Sequence, residues 1–178
     1  MPAVPRSSRA LPAPAVLAAG VLLVAGACKR TAPSCNTLDN QAAAVAFVAR
    51  PGPPPVFAGG PIADGVYRAT RAEGYGSATR AGRRMTLAVS DGATHFAWAG
   101  DALTADAANV MASIRANAQV SVKGNRLALT TTCSSVATSP LPDEMSFSAT
   151  PDQLTLAFVD GAAASVTTYT RVQAGTAH

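Results

Sequence analysis

From Gly65 onward the chain alternates apolar and polar residues with a period of two, in one short run after another. Met85, Leu87 and Val89 share one face while Arg84, Thr86, Ala88 and Ser90 take the other, and Phe96 and Trp98 alternate with His95 and Ala97. The pattern sets Ala118, Val120 and Val122 against Gln119, Ser121 and Lys123, then Leu127, Leu129 and Thr131 against Ala128, Thr130 and Thr132. Met145 and Phe147 oppose Ser146 and Ser148, and Leu154, Leu156 and Phe158 oppose Thr155, Ala157 and Val159. Successive side chains of a strand point to opposite faces, so each run reads as a strand with one face on a core and the other in water, as in antiparallel sheets. Asp91-Gly92, Lys123-Gly124-Asn125-Arg126, Pro151-Asp152 and Asp160-Gly161 fall between the runs, where tight hairpins need residues that tolerate or fix unusual φ. A meander of about seven or eight strands loses its exposed edges only by closing, so the expected fold is all-β, a small antiparallel barrel over residues 62–174. One stretch departs from the alternation. Leu103, Ala107, Val110 or Met111, and Ile114 fit a helical stripe capped by Thr104, which predicts a short helical turn leading into a strand from about Asn109.

The N-terminus obeys a different logic. Arg6 and Arg9 precede the apolar run Ala15 to Ala27, which is shorter than the roughly twenty residues a membrane-spanning helix needs. Residues 1–27 therefore read as a secretory signal peptide. Ala25-Gly26-Ala27 suits a general signal peptidase, while Val24-Ala25-Gly26-Ala27-Cys28 resembles a bacterial lipobox, with Ala25 where most carry Leu; that resemblance implies lipidation of Cys28 and anchoring to a membrane. Lys29 follows the cysteine. By resemblance to enteric sorting, where Asp at that place retains a lipoprotein in the inner membrane, Lys29 implies the outer membrane; simple secretion or a periplasmic location is the alternative.

Residues 28–61 carry Pro33, the run Pro51-Gly52-Pro53-Pro54-Pro55 and Gly59-Gly60-Pro61. Proline withholds backbone donors and favours extended geometry, so this segment is expected to be a disordered tether, with Ala42 to Val48 left open as a stretch able to pack on the domain. The chain has 3 cysteines. Lipidation of Cys28 leaves Cys35 and Cys133 as an even pair in an oxidising compartment, and Cys133, in phase with Leu127 and Leu129, is expected to face inward at a barrel rim. The alternative pairs Cys28 with Cys35 and leaves Cys133 a buried thiol.

Several pieces together resemble lipocalin-like barrels, and in particular small lipoproteins of high-GC bacteria such as the myxobacteria. They are the cysteine-led tether, the opening Ile62-Ala63-Asp64-Gly65-Val66-Tyr67-Arg68, the hairpin Phe147-Ser148-Ala149-Thr150-Pro151-Asp152-Gln153-Leu154-Thr155-Leu156 and the closing Thr167-Thr168-Tyr169-Thr170-Arg171. Gly65-Val66-Tyr67 stands where lipocalins carry Gly-x-Trp. The resemblance implies a fold rather than an activity.

Charge and site chemistry narrow the function by exclusion. The net charge is +4, falling to +2 without the leader's Arg6 and Arg9, and no basic stripe is interleaved with aromatics, so no nucleic-acid partner is expected. His95 and His178 are the only histidines, too few for a metal centre once the cysteines are spoken for. Gly74-Tyr75-Gly76-Ser77 lacks the spacing of a nucleophile elbow; Glu73 and Asp143-Glu144 are carboxylates without an identifiable partner, the pair reading as a solvated turn. No catalytic residue, metal ligand or cofactor is expected. The inward residues Met85, Leu87, Phe96, Trp98, Val120, Leu129, Phe147, Leu156 and Phe158 would line a cavity if the barrel has one, and form its core otherwise. The expectation is thus a non-enzymatic envelope lipoprotein that binds or shields a small apolar ligand. The alternative is an interaction module that recognises another envelope component through the loops Arg71 to Arg83 and Ser134 to Asp143.

Overall fold

The computed structural model describes residues 35–78, 81–136 and 141–172; the expected signal peptide and Cys28 lie outside them. Among the described residues nine strands form one sheet: β1 (Phe47–Arg50), β2 (Gly65–Tyr75), β3 (Gly82–Ser90), β4 (His95–Leu103), β5 (Val110–Lys123), β6 (Arg126–Ser134), β7 (Glu144–Thr150), β8 (Gln153–Asp160) and β9 (Ala163–Arg171). Strands β2 to β9 follow one another as an antiparallel meander, and β2 pairs with β9 from Tyr67↔Arg171 to Tyr75↔Ala164, so the sheet closes into an eight-stranded barrel. The runs that alternate in the sequence are strands β3 to β8, and their apolar faces turn inward. Leu87, Phe96, Trp98, Leu127, Leu129, Phe147, Leu154 and Leu156 are all buried in one cluster.

Tight turns at one end seal that cluster. Asp91, Gly92 and Ala93 all have positive φ, and both oxygens of the Asp64 carboxylate accept backbone N–H groups from this turn, at 3.1 Å from Gly92 and from Ala93. Ala93 and Ile62 pack on the core from the same end. The β4–β5 connection is where the helical stripe was expected, and there is no helix among the described residues. A polar turn wins instead. The Thr104 hydroxyl donates to Asp106 Oδ1 at 2.6 Å and accepts from the Asn109 N–H at 3.1 Å, while Asp106 Oδ1 also accepts from the Ala108 N–H. Side-chain bonds of this kind offer the backbone an alternative to a helical turn, and the strand then starts at Val110.

The largest departure from expectation is the segment 35–61, which is a belt and not a tether. It begins at Cys35, bonded to Cys133 with an S–S distance of 2.06 Å and a Cα–Cα distance of 5.5 Å. Cys133 faces outward rather than in, because a bulge in β6 pairs Ala118 with Thr131 but Asn117 with Cys133, and the extra residue reverses the parity. The belt then crosses the outer wall. The Asn36 amide donates to the Trp98 and Ala116 carbonyls and to Asn117 Oδ1, and the Asn117 amide donates back to the Cys35 carbonyl at 2.8 Å. Farther on, the Asn40 amide donates to the Arg84 carbonyl and accepts from the Thr86 hydroxyl, which leaves Thr86 1% exposed beneath it.

At Val45 the belt exchanges two backbone bonds with Arg83, and β1 then inserts parallel to the far half of β2, from Phe47↔Ala72 to Arg50↔Tyr75. It fills the gap left because β2 pairs with β3 only over Gly65–Arg68. Gly74 makes this possible, since a Cβ there would lie 2.3 Å from the Phe47 ring. Glu73, for which the sequence offers no identifiable partner, is buried and accepts from Arg50 Nε at 2.6 Å, with Arg71 at 3.8 Å. Beyond the proline run, Phe57 packs on Ala157, Ala164 and Val166, and Gly59 exchanges backbone bonds with Phe147 and Ala149 of β7. From β6 over β5, β4 and β3, through β1 to β2, β9 and β8, and finally to β7, the belt has gone once round the barrel.

A bridge spanning 98 residues contributes, in the chain-entropy account, about 4–5 kcal/mol by restricting the unfolded chain. Replacing both Cys35 and Cys133 by Ser is expected to lower the urea midpoint accordingly and to raise amide exchange first in residues 35–45. Equal midpoints for the variant and the oxidised protein would show that the belt is held without its staple.

Candidate functional site

One end of the barrel is packed and the other is hollow. At the hollow end, where β2, β4, β6 and β8 finish and β3, β5, β7 and β9 begin, the strands surround a cavity of about 480 Å³. Its floor is made by Trp98, Tyr169, Leu156 and Met85, resting on the closed core below. The Phe96 and Trp98 rings meet there tilted by 58°, with centroids 5.3 Å apart, within the range at which aromatic rings attract. Space above the floor comes from small residues in inward register. Gly100 stands opposite Met85 on β3 and Ile114 on β5, and a Cβ on it would meet Met85 Cγ at 2.6 Å. Leu141, Pro142 and Met145 close the side where β7 starts late, and Phe158 stands at the rim, 46% exposed.

Polar groups in this apolar room are few. Arg83 lies two residues before Met85 on β3, so it takes the same inward parity, and its guanidinium donates across the mouth to Ser165 Oγ at 2.5 Å. The Tyr169 hydroxyl points at Met85 Sδ, 3.7 Å away. Burial pushes the Tyr169 phenol above its ordinary range, against the opposing pull of the Arg83 charge and a hydrogen bond from the Trp98 indole. Asp101 touches the cavity, but its carboxylate is engaged with Arg84 at 3.6 Å and with the Ser113 hydroxyl at 2.7 Å.

Of the nine residues expected to line a cavity or form a core, Met85, Trp98, Leu156 and Phe158 are on the cavity wall. Leu87, Phe96, Val120, Leu129 and Phe147 are packed in the core beneath it. Arg83, Ser165 and Tyr169 were not singled out as site residues. Extending the β3 alternation one step back from Met85 reaches Arg83, and Tyr169 follows from alternation along β9; Ser165 carries no comparable signal. His95 is on the opposite end of the barrel, exposed, with Nδ1 3.1 Å from Asp91 Oδ2 and 3.1 Å from the Thr94 hydroxyl. Among the described residues no three His, Cys, Asp or Glu side chains are grouped to hold a metal ion.

These features define a small closed antiparallel β-barrel with one open end, an architecture consistent with a lipocalin-like fold. Compared with known proteins, the chain matches no family model, no curated protein and no solved structure, so its class rests on geometry.

Two tyrosines report on this interior. Tyr67 is also raised, mainly by burial, and its hydroxyl donates to the Ala63 carbonyl at 2.6 Å. A phenol whose folded pKa exceeds its unfolded one stabilises the fold below the unfolded value of about 10, and that contribution is lost as the pH rises above it. Absorbance titration should therefore show a late-ionising phase that shrinks in Tyr169→Phe and again in Tyr67→Phe. A Tyr169→Phe protein with an unaltered late phase would place that hydroxyl in contact with water.

Proposed function

We propose that this protein is an exported, non-enzymatic binding protein of the cell envelope that holds a small apolar ligand in the open end of its barrel. The observation that carries the reading is the cavity itself. At about 480 Å³ it falls within the size range of small-molecule sites, and its wall is dominated by Met, Leu, Ile, Trp and Phe with a few placed polar groups. Binding is favoured over catalysis by how those polar groups are used: Ser165 is bonded to Arg83, and His95 is at the other end of the molecule. A reaction would need a nucleophile and a base within reach of one another.

The compartment rests on two supports. A disulfide between Cys35 and Cys133 fits an oxidising environment, and the leader with its Cys28 fits a lipoprotein, by sorting pattern one of the outer membrane. On this reading the acyl chains at Cys28 hold the barrel to a membrane and the ligand is carried or shielded beside it. From the ends of the loops Arg71 to Arg83 and Ser134 to Asp143, Ala81, Gly82, Arg83, Leu141 and Pro142 line the cavity, so a partner docking there would meet the barrel at the end where its ligand enters.

Mass spectrometry of an organic extract from the full chain, purified with its leader processed by the host, should recover one apolar species near one-to-one. Ile114→Trp, which fills the mouth from β5, should abolish that recovery while leaving the β circular dichroism unchanged. An empty extract, together with no displaceable binding of an apolar dye, would overturn the binding reading. The anchor is tested separately: Cys28→Ser should lower the mature mass by a diacylglycerol and an acyl chain, and a mass changed only by the substitution would exclude lipidation.

A further inference from the structure

We infer that the ligand is an amphiphile, an apolar chain ending in an anionic oxygen headgroup, and that Arg83 is the residue that selects the headgroup. The inference rests on the proposed function and specifies its ligand. An arginine in the inward register of a barrel is unexpected on packing grounds, because a guanidinium drawn away from water must be compensated, and Arg83 is half-buried at the cavity wall. Among the described residues Arg83 has no carboxylate within ion-pair distance, although Arg50, Arg71, Arg84 and Arg126 each have one; Arg68, Arg115 and Arg171 also bond neutral oxygens, but of these four only Arg83 lines the cavity. Its side chain donates to a neutral acceptor, Ser165 Oγ. Asp101 does not neutralise it. That carboxylate belongs to the outer wall, where Arg84, Ser113 and the Asn40 amide hold it.

The position of the charge matters as much as its lack of a counter-ion. Arg83 and Ser165 face each other across the mouth, while Trp98, Leu156 and Tyr169 lie deeper. A ligand with its tail on that floor would bring its head to the level of Arg83 and Ser165. The guanidinium presents several N–H donors in one plane, so bonds to two oxygens of one anion are available while the serine hydroxyl supplies another donor. The backbone of Arg83 is fixed by its two bonds of 2.8 Å with Val45, so the belt holds the residue that reads the headgroup.

Dodecanoate and dodecyl phosphate carry the proposed chemistry from two sources, and dodecanol has the same tail without the charge. Calorimetric titration of the purified protein at pH 7.5 should give at least tenfold tighter binding of one or both anions than of the alcohol, about 1.4 kcal/mol. The tighter of the two anions names the source. In Arg83→Met the preference should vanish while dodecanol still binds, which also shows that the variant is folded; Arg83→Lys should retain part of it. Equal affinity of the wild-type protein for anions and alcohol, or a preference that survives in Arg83→Met, would overturn the headgroup assignment and leave the apolar binding reading in place. Binding of none of the three would overturn both.

Discussion

Eight strands in a meander leave two free edges unless the first meets the last, and here β2 meets β9 along most of its length. That choice has a cost on its other side. Because β2 leans toward β9 from Tyr67 onward, it pairs with β3 only over its first residues, and a slot opens between them at the hollow end. An unpaired strand edge carries donors and acceptors that must find partners. β1 supplies them in parallel register, and the wall is complete only because a segment from outside the meander is built into it.

The belt and the cavity are connected through this slot. Arg83 is the residue at which the belt bonds β3 on the way into β1, and it is also the cation at the mouth. Gly82 beside it sits so close to the Val45 and Thr104 carbonyls that a Cβ would lie 2.9 and 2.6 Å from them. The open end is therefore shaped from both sides: small residues inside leave room, and the belt outside fixes the strand that borders it. The opposite end has no such room, because Phe96, Leu127, Leu154 and Phe147 fill it.

The strands were legible because burial on one face imposes a two-residue period that no other structure produces. The belt was not legible, since much of its hold on the barrel comes from Asn36, Asn40 and Asn117, whose amides both donate and accept and so can bond whichever strand they cross. Amides of this kind have no period, and the prolines that follow them argue for extended backbone whether or not it is packed. Cys133 shows the same limit. Its pairing with Cys35 follows from counting cysteines, but its outward direction depends on one extra residue in a run of threonines, and Thr130, Thr131 and Thr132 look alike in sequence. Arg83 lay in plain alternation with Met85 and Leu87, and what distinguishes it is that it lines the cavity without a carboxylate partner, a property of three dimensions.

The staple at Cys35 also decides how the molecule bears load. A pull applied to the chain on the N-terminal side of Cys35 does not travel along the belt, because the covalent bond passes it directly to Cys133 in β6. The belt's hydrogen bonds and the β1 insertion lie inside the covalent loop from 35 to 133 and stay slack. Strands β2 to β5 share that shelter, whereas β7, β8 and β9 lie outside the loop. Force arriving from the N-terminal side therefore enters the barrel through the wall of β6 and spares the strand that carries Arg83.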